Sequence, residues 1–126
     1  MCYNVSLFVD TASSLEDFAD EVRSRLESAL QRVDRDGAVS YEYSRPDFTL
    51  DLFADHGMVN DRDMKFEDYR YQLSFSVTTR LIVRKLRTKT LRFARLAFER
   101  LKNTRRYSMM LVENTQRKLD SFELAA

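Results

Sequence analysis

The segment RLIVRKLRTKTLRFARLAFERLKNTRR, Arg80 to Arg106, carries eleven lysines and arginines and one acid, Glu99. Cations at this density suit phosphate or carboxylate ligands, and arginine holds such groups bidentately. At about 100° per residue on a helix, Ile82, Val83, Leu86, Phe93, Ala94, Leu96, Ala97 and Leu101 share one arc. Arg84, Lys85, Arg92, Arg95, Lys102 and Arg106 share the opposite arc and are the candidate nucleic-acid or partner-binding residues. Arg80/Arg84, Lys85/Lys89 and Lys102/Arg106 are like-charge pairs at i, i+4, each costing about 0.2–0.5 kcal/mol in a helix. A ridge kept at that cost calls for carboxylates or phosphates nearby, supplied by the same chain, a second copy or a partner.

Other chemistry-bearing residues are sparse. Cys2 is the only cysteine and His56 the only histidine, so a zinc site is excluded. Cys2 would become an N-terminal nucleophile only if Met1 were removed, and no glycine-rich oxyanion loop accompanies it. His56 follows Asp55 and precedes Gly57; the spacing predicts an exposed loop histidine beside a turn rather than an oriented base. Asn60, Asp61, Asp63, Glu67 and Asp68 offer oxygens to a hard cation, but the glycine and third oxygen ligand of an EF-hand loop are missing. No dinucleotide or phosphate-loop fingerprint is present. These residues call for no cofactor, no metal and no catalytic group, and they read as a binding protein rather than an enzyme.

The elements that must position these groups follow from periodicity. Tyr3, Val5, Leu7 and Val9 alternate as a strand. Ser13 with Glu16 fits a capping box, and Leu15, Phe18, Ala19, Val22, Leu26, Ala29, Leu30 and Val33 fall on one helical face, predicting a helix that stops near Asp36-Gly37. Val39, Tyr41 and Tyr43 alternate; Pro46 interrupts; Phe48, Leu50 and Leu52 resume, as a bent continuation or an extra hairpin. His56 to Asp68 reads as an exposed acidic loop. Tyr69, Tyr71, Leu73, Phe75 and Val77 form the clearest strand. Thr78 or Thr79 caps the basic helix, expected over 79–103, and Tyr107 to Val112 is a further strand. The segment after Val112 fits a short helix or a strand equally, with frayed last residues in 115–126.

The order predicts one α+β domain over 1–126, a two-layer fold with an antiparallel sheet and two helices on one face, in the β-α-β-β-α-β ferredoxin-like pattern. Such a fold predicts no function. Aromatics Tyr69, Tyr71 and Phe75 share the core face, which argues against an RNA-stacking sheet. The opposite face, with Asn4, Ser6, Arg70, Gln72, Ser74 and Ser76, suits a wet dimer surface, with Phe8, Met110 and Val112 adding apolar contacts.

Charge layout narrows the partners. Residues 10–70 hold sixteen acids and eight bases, residues 80–106 eleven bases and one acid, and residues 107–126 two bases and three acids, giving −8, +10 and −1 and hence the net +1. A near-neutral chain is therefore strongly dipolar. The partners expected are a nucleic-acid backbone bound without sequence readout, an acidic protein surface, or a second copy forming a homodimer. No run approaches the roughly 18 apolar residues of a membrane span, and one cysteine with no leader-like start predicts a cytoplasmic protein.

Overall fold

The computed structural model describes residues 3–46, 48–77 and 84–124, and side chains throughout these except those of Arg84 and Lys85. The chain is α+β: strands β1 (Tyr3–Asp10), β2 (Gln31–Arg35), β3 (Ala38–Ser44), β4 (Thr49–Ala54), β5 (Tyr71–Val77), β6 (Ser108–Glu113) and β7 (Arg117–Phe122), with helices α1 (Leu15–Leu26) and α2 (Arg84–Lys102). The strands form one antiparallel sheet in the order β2-β3-β4-β5-β1-β6-β7. The element order is thus β-α-β-β-β-β-α-β-β. The expected six-element layout omits three strands, so the sheet is wider than a β-α-β-β-α-β unit would make it.

One of the added strands, β2, comes from the segment read as the end of the first helix, and another, β4, is the extra hairpin strand that Phe48, Leu50 and Leu52 allowed. Ser14, not Ser13, is the N-cap of α1, its Oγ accepting the Asp17 N–H at 3.1 Å. The helix closes at Glu27, which sits in the left-handed region at φ 51°. Asp36 (φ 54°) and Gly37 (φ 86°) then make a hairpin turn, with the Gly37 N–H donated to Asp34 Oδ1 at 2.9 Å. Two successive positive-φ residues match the right-handed twist of paired strands, which is why Asp-Gly favours hairpins. Val33 therefore lies opposite Ser40 in a β-ladder rather than on a helix.

At the other end, Arg117–Phe122 pairs with β6 across a bulge at Leu111/Val112 and settles the ambiguous segment as a strand. Pro46 lies in the connection between β3 and β4, outside both strands, where its missing N–H is harmless.

The front face of the sheet carries the main core. Val5, Leu7, Leu52, Leu73, Phe75 and Leu111 meet Phe18 and Val22 of α1 and Ala94, Ala97, Phe98 and Leu101 of α2, all buried. Each fully buried Leu or Phe contributes about 1.5–3 kcal/mol. Both helices belong to this cluster, as expected. Helix α2 lies over β1, β5 and β6 and packs beside α1.

The rear face differs from expectation. Residues 55–70 cross it, and Met64 and Phe66 are buried against Phe8, Met110 and Val112. The apolar residues expected to add to a dimer surface are thus covered by the chain's own loop. That loop is laced by reciprocal bonds, Asn60 N–H to Glu67 Oε2 at 3.1 Å and Glu67 N–H to Asn60 Oδ1 at 3.0 Å. Tyr69 precedes β5 and packs with this rear cluster, not with the front core.

Beneath the strap, small polar groups satisfy one another across β1 and β5. Asn4 Nδ2 bonds the Ser74 hydroxyl, and also Ser76 Oγ at 2.9 Å. Ser6 Oγ donates to Asn4 Oδ1 at 2.8 Å and accepts from Gln72 Nε2 at 3.0 Å. Ser6, Gln72 and Ser74 are buried while Asn4 and Ser76 are half-buried, so the network satisfies the polar groups that the sheet covers.

Candidate functional site

Helix α2 owes its orientation to a narrow buried seam. Thr90, Ala94, Ala97, Phe98 and Leu101 are buried, and Thr90 Oγ1 returns its hydroxyl to the Leu86 carbonyl at 2.7 Å. Small residues at 94 and 97 let the helix approach the sheet closely. Leu86, Leu91 and Phe93 are only half-buried, so the N-terminal half is seated less deeply than the C-terminal half. Phe98 is in the core, and one sequence expectation changes here. Leu96, placed in the apolar arc, is 42% exposed. Four residues on from Arg92, it lies only about 40° round the helix from that arginine, on the outer surface.

The expected site residues separate into three groups. Arg92 and Arg95 are exposed and make no ion pair among the described residues. Lys102 is half-buried, its Nζ 6.0 Å from the Phe98 ring centroid and 5.7 Å from that of Phe122. Arg106 donates Nη2 to Glu21 Oε1 at 2.9 Å. The same oxygen accepts Arg25 Nε at 3.0 Å, and Arg100 Nη1 donates to the Arg25 carbonyl at 2.9 Å. The side chains of Arg84 and Lys85 lie outside the described residues, as do Thr78 to Val83 with the expected cap.

These contacts run α1 antiparallel to α2 and join them at the C-terminal end of α2. At 1.5 Å per residue, the 12 residues of α1 and 19 of α2 span about 18 and 28 Å, so α1 cannot flank α2 throughout. Residues 84–95 hold six bases and no acid. The acids of α1 that face solvent, Glu16, Asp17 and Asp20, lie toward the far end of the helical layer. The charge of α2 is therefore offset at its C-terminal end, whereas Arg92 and Arg95 stay open.

Sequence reasoning missed two basic contributors. Arg45, from the β3–β4 connection, lies over the rings of Phe48 and Phe93 at 5.3 Å each. Arg87 lies over the Tyr3 ring at 4.7 Å. The pairings of Arg45 with Phe93 and of Arg87 with Tyr3 have no sequence signal, because each joins residues distant along the chain. The Tyr3 hydroxyl donates to Glu113 Oε2 at 2.6 Å, and burial with this carboxylate raises its pKa far above the usual tyrosine range.

Of the remaining candidates, His56 is built into the rear strap. His56 is half-buried rather than exposed. Its Nδ1 accepts the Met58 N–H at 3.0 Å, its Nε2 donates to the Tyr69 carbonyl at 2.8 Å, and its ring meets Phe8 edge-on at 5.2 Å. Both nitrogens are engaged in holding the rear strap, which leaves none for a base. Among the described residues no three His, Cys, Asp or Glu side chains converge to hold a metal ion. Cys2 lies outside the described residues. An open groove of about 480 Å³ is lined by Arg35, Ser40, Glu42, Asp51 and Phe53. There Arg35 Nη1 bonds Glu42 Oε1 at 2.7 Å, while burial and the neighbouring Glu42 charge raise the Asp51 carboxyl pKa.

No family model, no curated protein and no solved structure matches the chain at a significant level. No helix among the described residues is long and apolar enough to cross a membrane.

Proposed function

We propose that this is a non-enzymatic binding protein that uses residues 84–95 of α2 to hold an extended polyanion, a nucleic-acid backbone. The observation that carries the reading is the mismatch along one helix. Glu21 accepts from Arg106 and Arg25, but Arg92 and Arg95 face solvent without a carboxylate among the described residues. Six bases in twelve residues, with no acid among them, raise the local potential and attract phosphate. Contacts of this kind give affinity without reading sequence. The test is fluorescence anisotropy with labelled nucleic acid over a salt series. If five phosphates are engaged on duplex DNA, the log–log slope is about −4.5. Absence of binding at low salt overturns the reading.

One observation favours a second reading, head-to-tail association of copies. Asp10, Asp68 and Glu123 gather around Tyr69, and burial together with these carboxylates raises the Tyr69 hydroxyl pKa. An acidic rim and a basic helix on one molecule are complementary, so copies would associate at low salt and separate at high salt. Light scattering across the same salt series separates the two: a mass that does not change leaves only the first reading.

A further inference from the structure

The outermost line of α2 is chemically unlike a simple phosphate clamp. Thr88, Arg92 and Leu96 follow one another at i, i+4 and are all exposed. Leu96 is one of three exposed large hydrophobics among the described residues, and it sits beside Arg92 and Arg95. A leucine there adds nothing to phosphate binding. Hydroxyl, guanidinium and apolar groups in one line are instead the set that meets base edges: arginine bonds guanine O6 and N7 as a pair, and an apolar group packs on the thymine methyl. Arg95 lies about 60° to one side of Arg92 and Lys89 about 60° to the other, so exposed cations flank the line on both sides.

From this arrangement, and resting on the polyanion reading above, we propose that the crest Thr88–Arg92–Leu96 enters the major groove of B-form duplex DNA, with Arg95 against a phosphate wall. A helix with its side chains is about 10–12 Å across and the groove about 12 Å wide. The deep, narrow major groove of A-form RNA does not admit one. Glu99 follows on the same outer surface, and the exposed α1 acids Glu16, Asp17 and Asp20 lie toward the far end of the helical layer. These carboxylates repel a phosphate backbone, so the insertion ends at Leu96 and the duplex leaves the domain on the side away from them.

The test compares duplex DNA, its single strand, duplex RNA and heparin by anisotropy at low salt, with dimethyl sulfate probing guanine N7. Duplex DNA binds most tightly, and bound guanines are protected. Arg92→Lys keeps the charge yet weakens duplex binding about tenfold, because lysine lacks the bidentate fork. Leu96→Ala reduces the preference among duplex sequences without changing the salt slope. Unprotected guanines, an Arg92→Lys variant that binds as well as the parent, or heparin bound as tightly per charge overturn groove insertion and leave the polyanion reading standing. No binding to any of the four overturns both.

Discussion

The two halves of α2 share a sequence character but not a fate. In the C-terminal half the cations are used: Arg100 holds the Arg25 carbonyl, Lys102 lies over two aromatic rings, and Arg106, just past the helix, shares Glu21 with Arg25. Before that end, Arg92 and Arg95 meet only solvent among the described residues. The difference comes from helix lengths and from where α1 ends, not from local composition. A like-signed run along a helix is therefore not one surface, and its meaning depends on how far a neighbour reaches.

The sharpest break between the halves comes from packing. Phe98→Ala removes a buried ring from the seam and should cost about 3–5 kcal/mol, whereas Leu96→Ala, two residues away, should stay within about 0.5 kcal/mol. Urea unfolding of both variants checks this; a large loss for Leu96→Ala would mean the outer surface is mistaken. Next, the double change Arg92→Ala with Arg95→Ala should leave the melting temperature unchanged while flattening the salt dependence of nucleic-acid binding by about 1.8 if each arginine holds one phosphate, or about 0.9 if Arg92 reads a base and only Arg95 holds a phosphate. An unchanged slope would move the contact elsewhere.

Glu21→Gln tests the sealed end. It releases Arg25 and Arg106, costs up to about 1 kcal/mol because the arginines are largely solvated, and should tighten polyanion binding by enlarging the open surface. Weaker binding would show that Glu21 positions Arg106 for a ligand. The smallest effect lies far from α2. In the folded chain the Asp51 pKa is raised by burial and by Glu42, so the folded state holds its proton more readily than the unfolded state. Stability from this group is greatest below the usual carboxylate range and falls as pH rises through it. Asp51→Asn should therefore raise the melting temperature slightly at neutral pH, with the gain vanishing in acid. A pH-independent gain would rule out titration as its cause.

What could be read from the residues follows which forces are local. Alternation in β1 and β5 and the apolar face of α1 through Leu26 are properties of neighbouring residues, and they appear where expected. The stretch 27–37 reads as helix because Ala29, Leu30 and Val33 continue the helical spacing, while Glu27 at φ 51° stops the helix and Asp36-Gly37 turns the chain into a hairpin. An Asp-Gly pair marks either a helix end or a hairpin, and only a paired strand decides between them. The rear strap was hidden for a different reason. Met64 and Phe66 sit in a polar stretch with no period, and their partners Phe8, Met110 and Val112 come from distant strands. At the candidate site, the exposure of Arg92 and Arg95 follows from helical spacing alone. The capture of Arg106 by Glu21 depends on a helix–helix register that no local pattern records.

The sheet stays open at both sides, with β2 and β7 as its margins. Unpaired backbone at a margin is a template for another chain, and charged side chains are the usual deterrent. Strand β2 reads QRVDR and β7 reads RKLDSF, so ions of both signs line each border. A newcomer adding itself as an eighth strand would have to accommodate that charge, which turns unintended fibre growth away at either rim.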